Sequence, residues 1–253
     1  MLQRAGFFHF AESHRDPQGE LAKAIEMASR FTEVAGSLIV LPEGFNLGRE
    51  YGSGNTPGER PRLPAQRVLA DLQTLAATHK AAFIVGIIEA ESRHNSAYFI
   101  DTGPPRLMCH KITDDGSREY ERCTANCDFE NPLNHKENHQ ETQIGALLCA
   151  DVIDNRRGQG AVPGAEDAYR RRECLRSRLL TPRRLLCVPA YMATCYQDPM
   201  LEEVALILAN SRPGGKSFVK DRNGAIVGGP SDPRKNEVCL VELSRIIGHI
   251  DPA

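Results

Sequence analysis

The sequence predicts an α/β layered domain in which helices cover the faces of β-sheets. Short apolar runs such as Ser37-Leu38-Ile39-Val40-Leu41 and Ala82-Phe83-Ile84-Val85-Gly86-Ile87-Ile88 have the length and branched content of buried strands. Segments with apolar residues at helical spacing lie next to them. The two kinds alternate early in the chain, and later paired strands mix with helices, a pattern that buries sheet faces under helices.

Taken in order, Gly6 to Phe10 is a short apolar strand, and Gln18 to Thr32 is a helix with Leu21, Ala24, Ile25, Ala28 and Phe31 on its core face. Ser37 to Leu41 is a buried strand that Pro42-Glu43-Gly44-Phe45-Asn46 ends abruptly. Gly48 to Pro64, rich in Gly, Pro, Arg and Glu, is a long loop of the kind that forms the lid or rim of a site. Ala65 to His79 is a second helix, with Val68, Leu69, Leu72, Leu75 and Ala76 on one face, and Ala82 to Ile88 is the next strand. Ser96 to Ile100 and Arg106 to Ile112 pair around Asp101-Thr102-Gly103-Pro104, and Lys111 stands at the end of the second.

Gly116 to Gln140 reads as polar and irregular. The apolar run from Gln143 to Val152 is then a buried strand that delivers Cys149 to its end and empties into a loop through Asp151, Asp154, Asn155 and Gly158. A helix from Ala165 to Leu180 and a strand from Leu185 to Pro189 follow, and Leu201 to Ala209, Lys216 to Lys220 and Val238 to Leu243 complete the pattern. No internal repeat, low-complexity tract or linker divides the chain, so one domain over residues 1–253 is expected.

The chain has 253 residues, enough to bury a substantial core, and its 41% hydrophobic and 25% charged residues are those of an ordinary soluble protein. A formal net charge of -2 gives no global field that would attract nucleic acid or a membrane surface. The first residues, Met1-Leu2-Gln3-Arg4-Ala5-Gly6, lack the apolar core and small-residue cleavage site of a secretory signal. No run approaches the roughly 18 apolar residues of a spanning helix. A cytoplasmic protein is expected. Of its eight cysteines, Cys109, Cys149, Cys187 and Cys239 sit singly in strand-like runs and Cys174 on a basic helix, a distribution of reduced thiols rather than of a disulfide framework.

Three reactive side chains stand in similar contexts: Glu43 just after a strand, and Lys111 and Cys149 at strand ends. A carboxylate there can be desolvated into a base at neutral pH. A thiol needs such a base, because at pH 7 only a few per cent of it is thiolate.

Leu41-Pro42-Glu43, His110-Lys111 and Leu148-Cys149, in this order and spread, resemble the Glu-Lys-Cys triad of the nitrilase, or carbon–nitrogen hydrolase, superfamily. Asn95-Ser96-Ala97-Tyr98-Phe99-Ile100-Asp101 is similar to the strand before that family's lysine, and Val188-Pro189-Ala190 to its strand after the nucleophile. Ala209-Asn210-Ser211, Gly214-Gly215-Lys216-Ser217-Phe218-Val219 and Asn223-Gly224 resemble its later segments. The resemblance implies a four-layer α-β-β-α sandwich, a homodimer or larger homo-oligomer, and no cofactor. It implies cysteine-dependent hydrolysis of a small amide or carbamoyl compound through a thioester. Glu43 would be the base, Cys149 the nucleophile, and Lys111 with the backbone N–H of Ala150 the oxyanion hole. The family's second glutamate corresponds to Glu119 or Glu121, Glu119 being preferred for its spacing from Lys111.

Two departures from the family stand out, and the first bears on the substrate. Cys149-Ala150-Asp151-Val152-Ile153-Asp154 lacks the family's usual Arg-Pro-Glu ending, and the interval from Ala190 to Asn210 is shorter than usual, with only Leu201 to Leu208 for its helix. The altered segment after Cys149 keeps open a catalytically retired interaction module, and a nitrile-hydrolysing member of the family is the other alternative. Cys123-x3-Cys127 and His135-x3-His139 have the look of a zinc site, but the seven residues between the pairs are fewer than in common fingers, and no metal is expected. The run from Tyr169 to Arg178 lacks interleaved aromatics, so it reads as a solvated or intersubunit helix face rather than a nucleic-acid surface. Gly214-Gly215-Lys216-Ser217 carries the ending of a P-loop without its first glycine.

Overall fold

The structure is a computed structural model that describes residues 2–10, 17–30, 34–47, 63–89, 91–113, 133–137, 140–152, 163–179, 184–191, 203–211, 215–232 and 234–248. The elements are β1 (Arg4–His9), α1 (Pro17–Arg30), β2 (Ser37–Val40), α2 (Ala65–His79), β3 (Ala82–Ile88), β4 (Asn95–Ile100), β5 (Arg106–His110), β6 (Leu133–Glu137), β7 (Gln140–Ala146), α3 (Ala165–Leu179), β8 (Arg184–Ala190), β9 (Leu206–Asn210), β10 (Phe218–Lys220), β11 (Ile226–Gly228), β12 (Glu237–Glu242) and α4 (Leu243–Ile247).

They form two six-stranded sheets, ordered β12-β1-β2-β3-β4-β5 and β11-β10-β9-β8-β7-β6. At the centre of the first, β1, β2 and β3 run parallel; at the centre of the second, β7, β8 and β9 do. Every residue of β2 and β3 is buried, which is why these strands are apolar throughout instead of alternating.

Successive strand residues point to opposite faces, so each sheet has two apolar surfaces to cover. Phe7, Val40, Ile84 and Phe99 of the first sheet meet Ile144, Leu185, Cys187 and Ile207 of the second in one core. On the outer face of the first sheet, Phe8, Ile39, Phe83 and Val85 pack with Leu21, Ala24 and Met27 of α1 and Val68, Leu72 and Leu75 of α2. On the outer face of the second, α3 lies against β7 and β8. The result is the layered α/β domain expected from the sequence pattern, arranged as the α-β-β-α sandwich that the resemblance implies.

Several boundaries differ from expectation. Residues 133–137, within the segment read as irregular, form β6, which pairs antiparallel with β7 as an edge hairpin. An edge strand needs little apolar content, so Leu-Asn-His-Lys-Glu gave no periodic signal. β7 starts at Gln140, not Gln143, and stops at Ala146, so Cys149 lies past the strand in a single 3-10 turn, Cys149–Val152. The stretch considered for a helix from Leu201 to Leu208 runs into β9 instead, whose five residues, Leu206–Asn210, are all buried. The short β11 and the terminal helix α4 were not anticipated. None of the five described cysteines, Cys109, Cys149, Cys174, Cys187 and Cys239, is in a disulfide. Among the described residues no helix is long and apolar enough to cross a membrane.

Candidate active site

Glu43 sits in the turn after β2, and that turn remains zipped to β3. Leu41 N–H donates to Ile84 O at 2.7 Å, Gly86 N–H to Pro42 O at 3.2 Å and Phe45 N–H to Gly86 O at 2.9 Å. Asn46 closes the turn: its Oδ1 accepts from Ile88 N–H at 2.9 Å and its Nδ2 donates to Ile88 O at 2.8 Å. Gly86 permits this approach, because a Cβ there would lie 2.7 Å from the Cα of Glu43. Glu43 is therefore held by backbone on a rigid strand pair, 2% exposed.

Lys111 is the first residue beyond β5, and its N–H donates to Asn95 O at 2.7 Å, carrying the β4–β5 ladder one step further. Its ammonium reaches Oε1 of Glu43 at 2.9 Å, and both side chains have no exposed surface. The Asn95 amide donates to the same oxygen at 2.6 Å. A buried ion pair costs several kcal/mol of desolvation and persists only with good geometry and further hydrogen bonds. Asn95 supplies one, and by occupying Oε1 together with Lys111 it fixes the carboxylate plane.

Cys149 comes from the other sheet. Leu147 N–H continues the β7–β8 ladder to Cys187 O at 3.2 Å, and the chain then breaks into the 3-10 turn. Cys149 adopts a φ of 44°, the left-handed region, which costs a non-glycine residue roughly 1–2 kcal/mol. Such conformations cluster at functional sites. The thiol is 3.5 Å from Tyr191 O, and the Glu43 carboxylate acts on it through charge and hydrogen bonding. Burial foremost, and then the Glu43 charge, push the thiol well above its ordinary value of 9.0, with Lys111 opposing. At neutral pH the resting group is thus a protonated thiol beside a base.

The structure brings together Glu43, Lys111 and Cys149, with buried Ala150 next in the turn. Glu119, Glu121, Cys123, Cys127 and His139 lie outside the described residues, as does the side chain of His135.

Solved structures of the amidase from Nesterenkonia sp. AN1 are similar to this chain over nearly its whole length. One, a variant showing Michael addition of acrylamide at the active-site cysteine, matches with a TM-score of 0.67 and 18% identity, covering 95% of this chain and 92% of that one. A double mutant in complex with acrylamide matches with a TM-score of 0.65 and 17% identity, covering 95% and 90%. A cysteine variant, described as from the nitrilase superfamily, gives 0.64, 17%, 95% and 91%. The chain has the nitrilase-superfamily fold. No protein-family profile and no curated protein sequence matches it.

Within this nitrilase fold, sequence reasoning missed four residues around Glu43, Lys111 and Cys149. Asn95 was only part of a family-like strand, and Asp151 only a loop polar residue. Arg171 and Arg172, expected on a solvated or intersubunit face, are 3% and 0% exposed. Their heads reach main-chain carbonyls: Arg171 Nη1 donates to His110 O at 2.6 Å and Arg172 Nη1 to Asp151 O at 2.6 Å. A run of arginines signals solvent only when no carbonyl waits within reach, and here two do.

His110, which precedes Lys111, takes part in a second polar cluster. Its Nδ1 lies 2.7 Å from Ser96 Oγ, and its ring is 4.6 Å from that of His94. Ser96 and Tyr98 donate to Glu89 Oε1 at 2.6 and 2.8 Å, and Ser92 donates to Oε2. Burial works to raise Glu89, but these hydroxyls outweigh it and hold the carboxyl below its ordinary 4.5. Burial and then His94 push His110 below 6.5, against the pull of Glu89.

Proposed function

We propose that this chain is a cysteine-dependent hydrolase of a non-peptide C–N bond, acting on a small amide or carbamoyl compound. The observation that carries the reading is the fully buried Glu43–Lys111 pair set against the thiol of Cys149. The similar Nesterenkonia amidase lends support, since the active-site cysteine of its glutamate-to-glutamine mutant carries the Michael addition of acrylamide or the acetamide moiety of fluoroacetamide.

In this mechanism Glu43 accepts the thiol proton as Cys149 Sγ bonds to the carbonyl carbon, and the C=O π electrons move onto oxygen. The Lys111 ammonium and the Ala150 N–H stabilise that oxyanion. Collapse restores the C=O and breaks the C–N bond, and Glu43 passes its proton to the departing ammonia or amine. Water then attacks the thioester, giving up a proton to Glu43; the C–S bond breaks, and the thiol is re-formed with the acid as product. Because burial raises the thiol so far, deprotonation accompanies attack and no standing thiolate is needed. Glu119 is assigned as the second carboxylate near Lys111. In the same reading the chain works as one domain, in the cytoplasm, as a homodimer or larger homo-oligomer, without a metal or cofactor.

The test is site-resolved alkylation with limiting iodoacetamide, read by peptide mass spectrometry, followed by an ammonia-release screen over small amides, carbamoyl compounds and nitriles. Cys149 is expected to label ahead of Cys174 and Cys239, although both are less buried. Glu43→Gln is expected to remove that lead, and Cys149→Ala to abolish hydrolysis. A Cys149→Ala protein that hydrolyses the preferred amide at the parental rate would sink the mechanism; preferred release from nitriles would change the substrate class.

A further inference from the structure

We propose that Asp151 is a positioning residue that sets the spacing between Cys149 and Lys111 across the two sheets; this rests on reading those residues as nucleophile and oxyanion donor. Lys111 leaves β5, the edge strand of the first sheet, and Cys149 follows β7 in the second. The sheets meet through apolar side chains such as Val40, Ile84, Ile144 and Leu185. Apolar contact is non-directional, so it fixes the layer spacing more firmly than the lateral alignment of two chain ends. A misplacement of about 1 Å can cost roughly a hundredfold in rate. Directional contacts between the two ends are therefore needed.

Asp151 provides them. It lies two residues beyond Cys149 and has no exposed surface. Its Oδ1 accepts from Thr113 N–H at 2.9 Å and from the Thr113 hydroxyl at 2.7 Å. Ile112 N–H points between its two oxygens, at 3.3 and 3.2 Å. All of these donors belong to the two residues directly after Lys111. The carboxylate thus stands in for a neighbouring strand where the first sheet has run out.

Asp151 is itself anchored. Its N–H donates to Leu148 O at 2.9 Å, closing the turn that carries Cys149, and its carbonyl accepts from Arg172. The adjacent Arg171 holds the carbonyl of His110, the residue before Lys111. Neighbouring arginines of α3 therefore grip one chain end each. Lys111 is bracketed on both sides by groups fixed to the nucleophile's turn.

A merely structural role would alter stability and leave the alignment untouched, so the test separates the two. Asp151→Asn keeps the shape but removes the charge and, with the amide oxygen in the Oδ1 place, turns a donor toward the Ile112 N–H. Thr113→Val removes one hydrogen bond at constant volume, and Thr113→Ser restores it, which keeps the test decisive where Asp151→Asn fails to fold. On the amide found in the screen, kcat is expected to fall about a hundredfold in Asp151→Asn and about tenfold in Thr113→Val, with KM little changed and Thr113→Ser parental. The pH profile of Cys149 alkylation by iodoacetamide is a second readout that needs no turnover. With Lys111 displaced from the thiol, that profile is expected to move up by about one unit in Asp151→Asn and Thr113→Val, and not in Thr113→Ser.

A folded Asp151→Asn with parental kcat and a parental alkylation profile overturns the proposal, as does a Thr113→Val indistinguishable from Thr113→Ser in both. A parent that hydrolyses no amide, while the alkylation profile still shifts as expected, removes the hydrolase reading and supports Asp151 as the spacer.

Discussion

Replacing Lys111 by methionine removes one charge of a pair that has no solvent around it. The Nζ–Oε1 distance is 2.9 Å and both side chains are fully buried, so solvent screening does not soften the loss. At an effective dielectric constant of about 20, the attraction at that distance is on the order of 6 kcal/mol, and breaking a buried pair from one side costs about 3–5 kcal/mol in practice. The upper figure omits relaxation, so about 3–5 kcal/mol is the expected loss for Lys111→Met. For a chain of this size that lowers Tm by roughly 6–20 °C. Glu43→Gln is expected to lose less, because the amide oxygen still accepts from Lys111.

The double variant Glu43→Gln/Lys111→Met decides the matter. Both charges are then gone, no ion remains buried, and stability is expected to recover most of the single-variant loss, with a coupling of about 3 kcal/mol. The chain contains no tryptophan, so urea unfolding is followed by far-UV circular dichroism. In the proposed mechanism the double variant is expected to hydrolyse no amide however stable it becomes. A Lys111→Met loss below about 1 kcal/mol, the range of a solvated pair, would refute the reasoning, as would strictly additive losses.

Gly86→Ala places a methyl 2.7 Å from the Cα of Glu43, with Leu148 and Pro189 behind it, so the Glu43 turn must shift; kcat is expected to fall at least about tenfold with the fold retained by circular dichroism. Asn95→Asp replaces the donor on Glu43 Oε1 by a second carboxyl at about the same place, which raises the proton affinity of the pair; the acid limb of the pH–kcat profile is expected to move up by about 1–3 units, and an unmoved limb would free Glu43 from Asn95. His110 binds its proton more weakly folded than unfolded, so between its lowered value and about 6.5 the unfolded chain holds more protons and stability rises with pH. As pH falls through that window stability is lost, and it falls further below 4.5, where Glu89 must take up a proton that its hydroxyl partners resist. Urea midpoints against pH check this, and His110→Gln is expected to flatten the upper part of the slope.

The layers were legible in the sequence because the central strands are buried on both faces, and Ser37–Val40 and Ala82–Ile88 show it as unbroken apolar runs. Glu43, Lys111 and Cys149 stood out because each stands at or just after the end of an apolar run and because their order and spread resemble the Glu-Lys-Cys triad of a known superfamily. β6 escaped because an edge hairpin carries polar residues without a period. Arg171 and Arg172 escaped for another reason: the carbonyls that satisfy them lie 61 and 21 residues away in the chain, and no local pattern reports such partners. Asn95 is a neutral amide inside a strand, and its value lies wholly in a carboxylate 52 residues distant.

The residues that escaped are the ones that hold, and those that were legible are the ones assigned to the chemistry. Reactive groups are few in type and sit where strands end, so their chemistry shows in one dimension. Holding groups act through directed bonds between distant segments, and any polar side chain with the right reach will serve. The geometry explains why this site needs so many of them. Cys149 is strained at a φ of 44° and Lys111 is charged without water, so each would relax if released. Asn95 on Glu43, Asp151 on Ile112 and Thr113, and the paired arginines on both chain ends oppose that relaxation with hydrogen bonds that water cannot enter to replace. In the proposed mechanism, reactivity rests less on the acidity of the thiol, which burial suppresses, than on the fixed approach of a base, an ammonium and a sulfur drawn from two sheets.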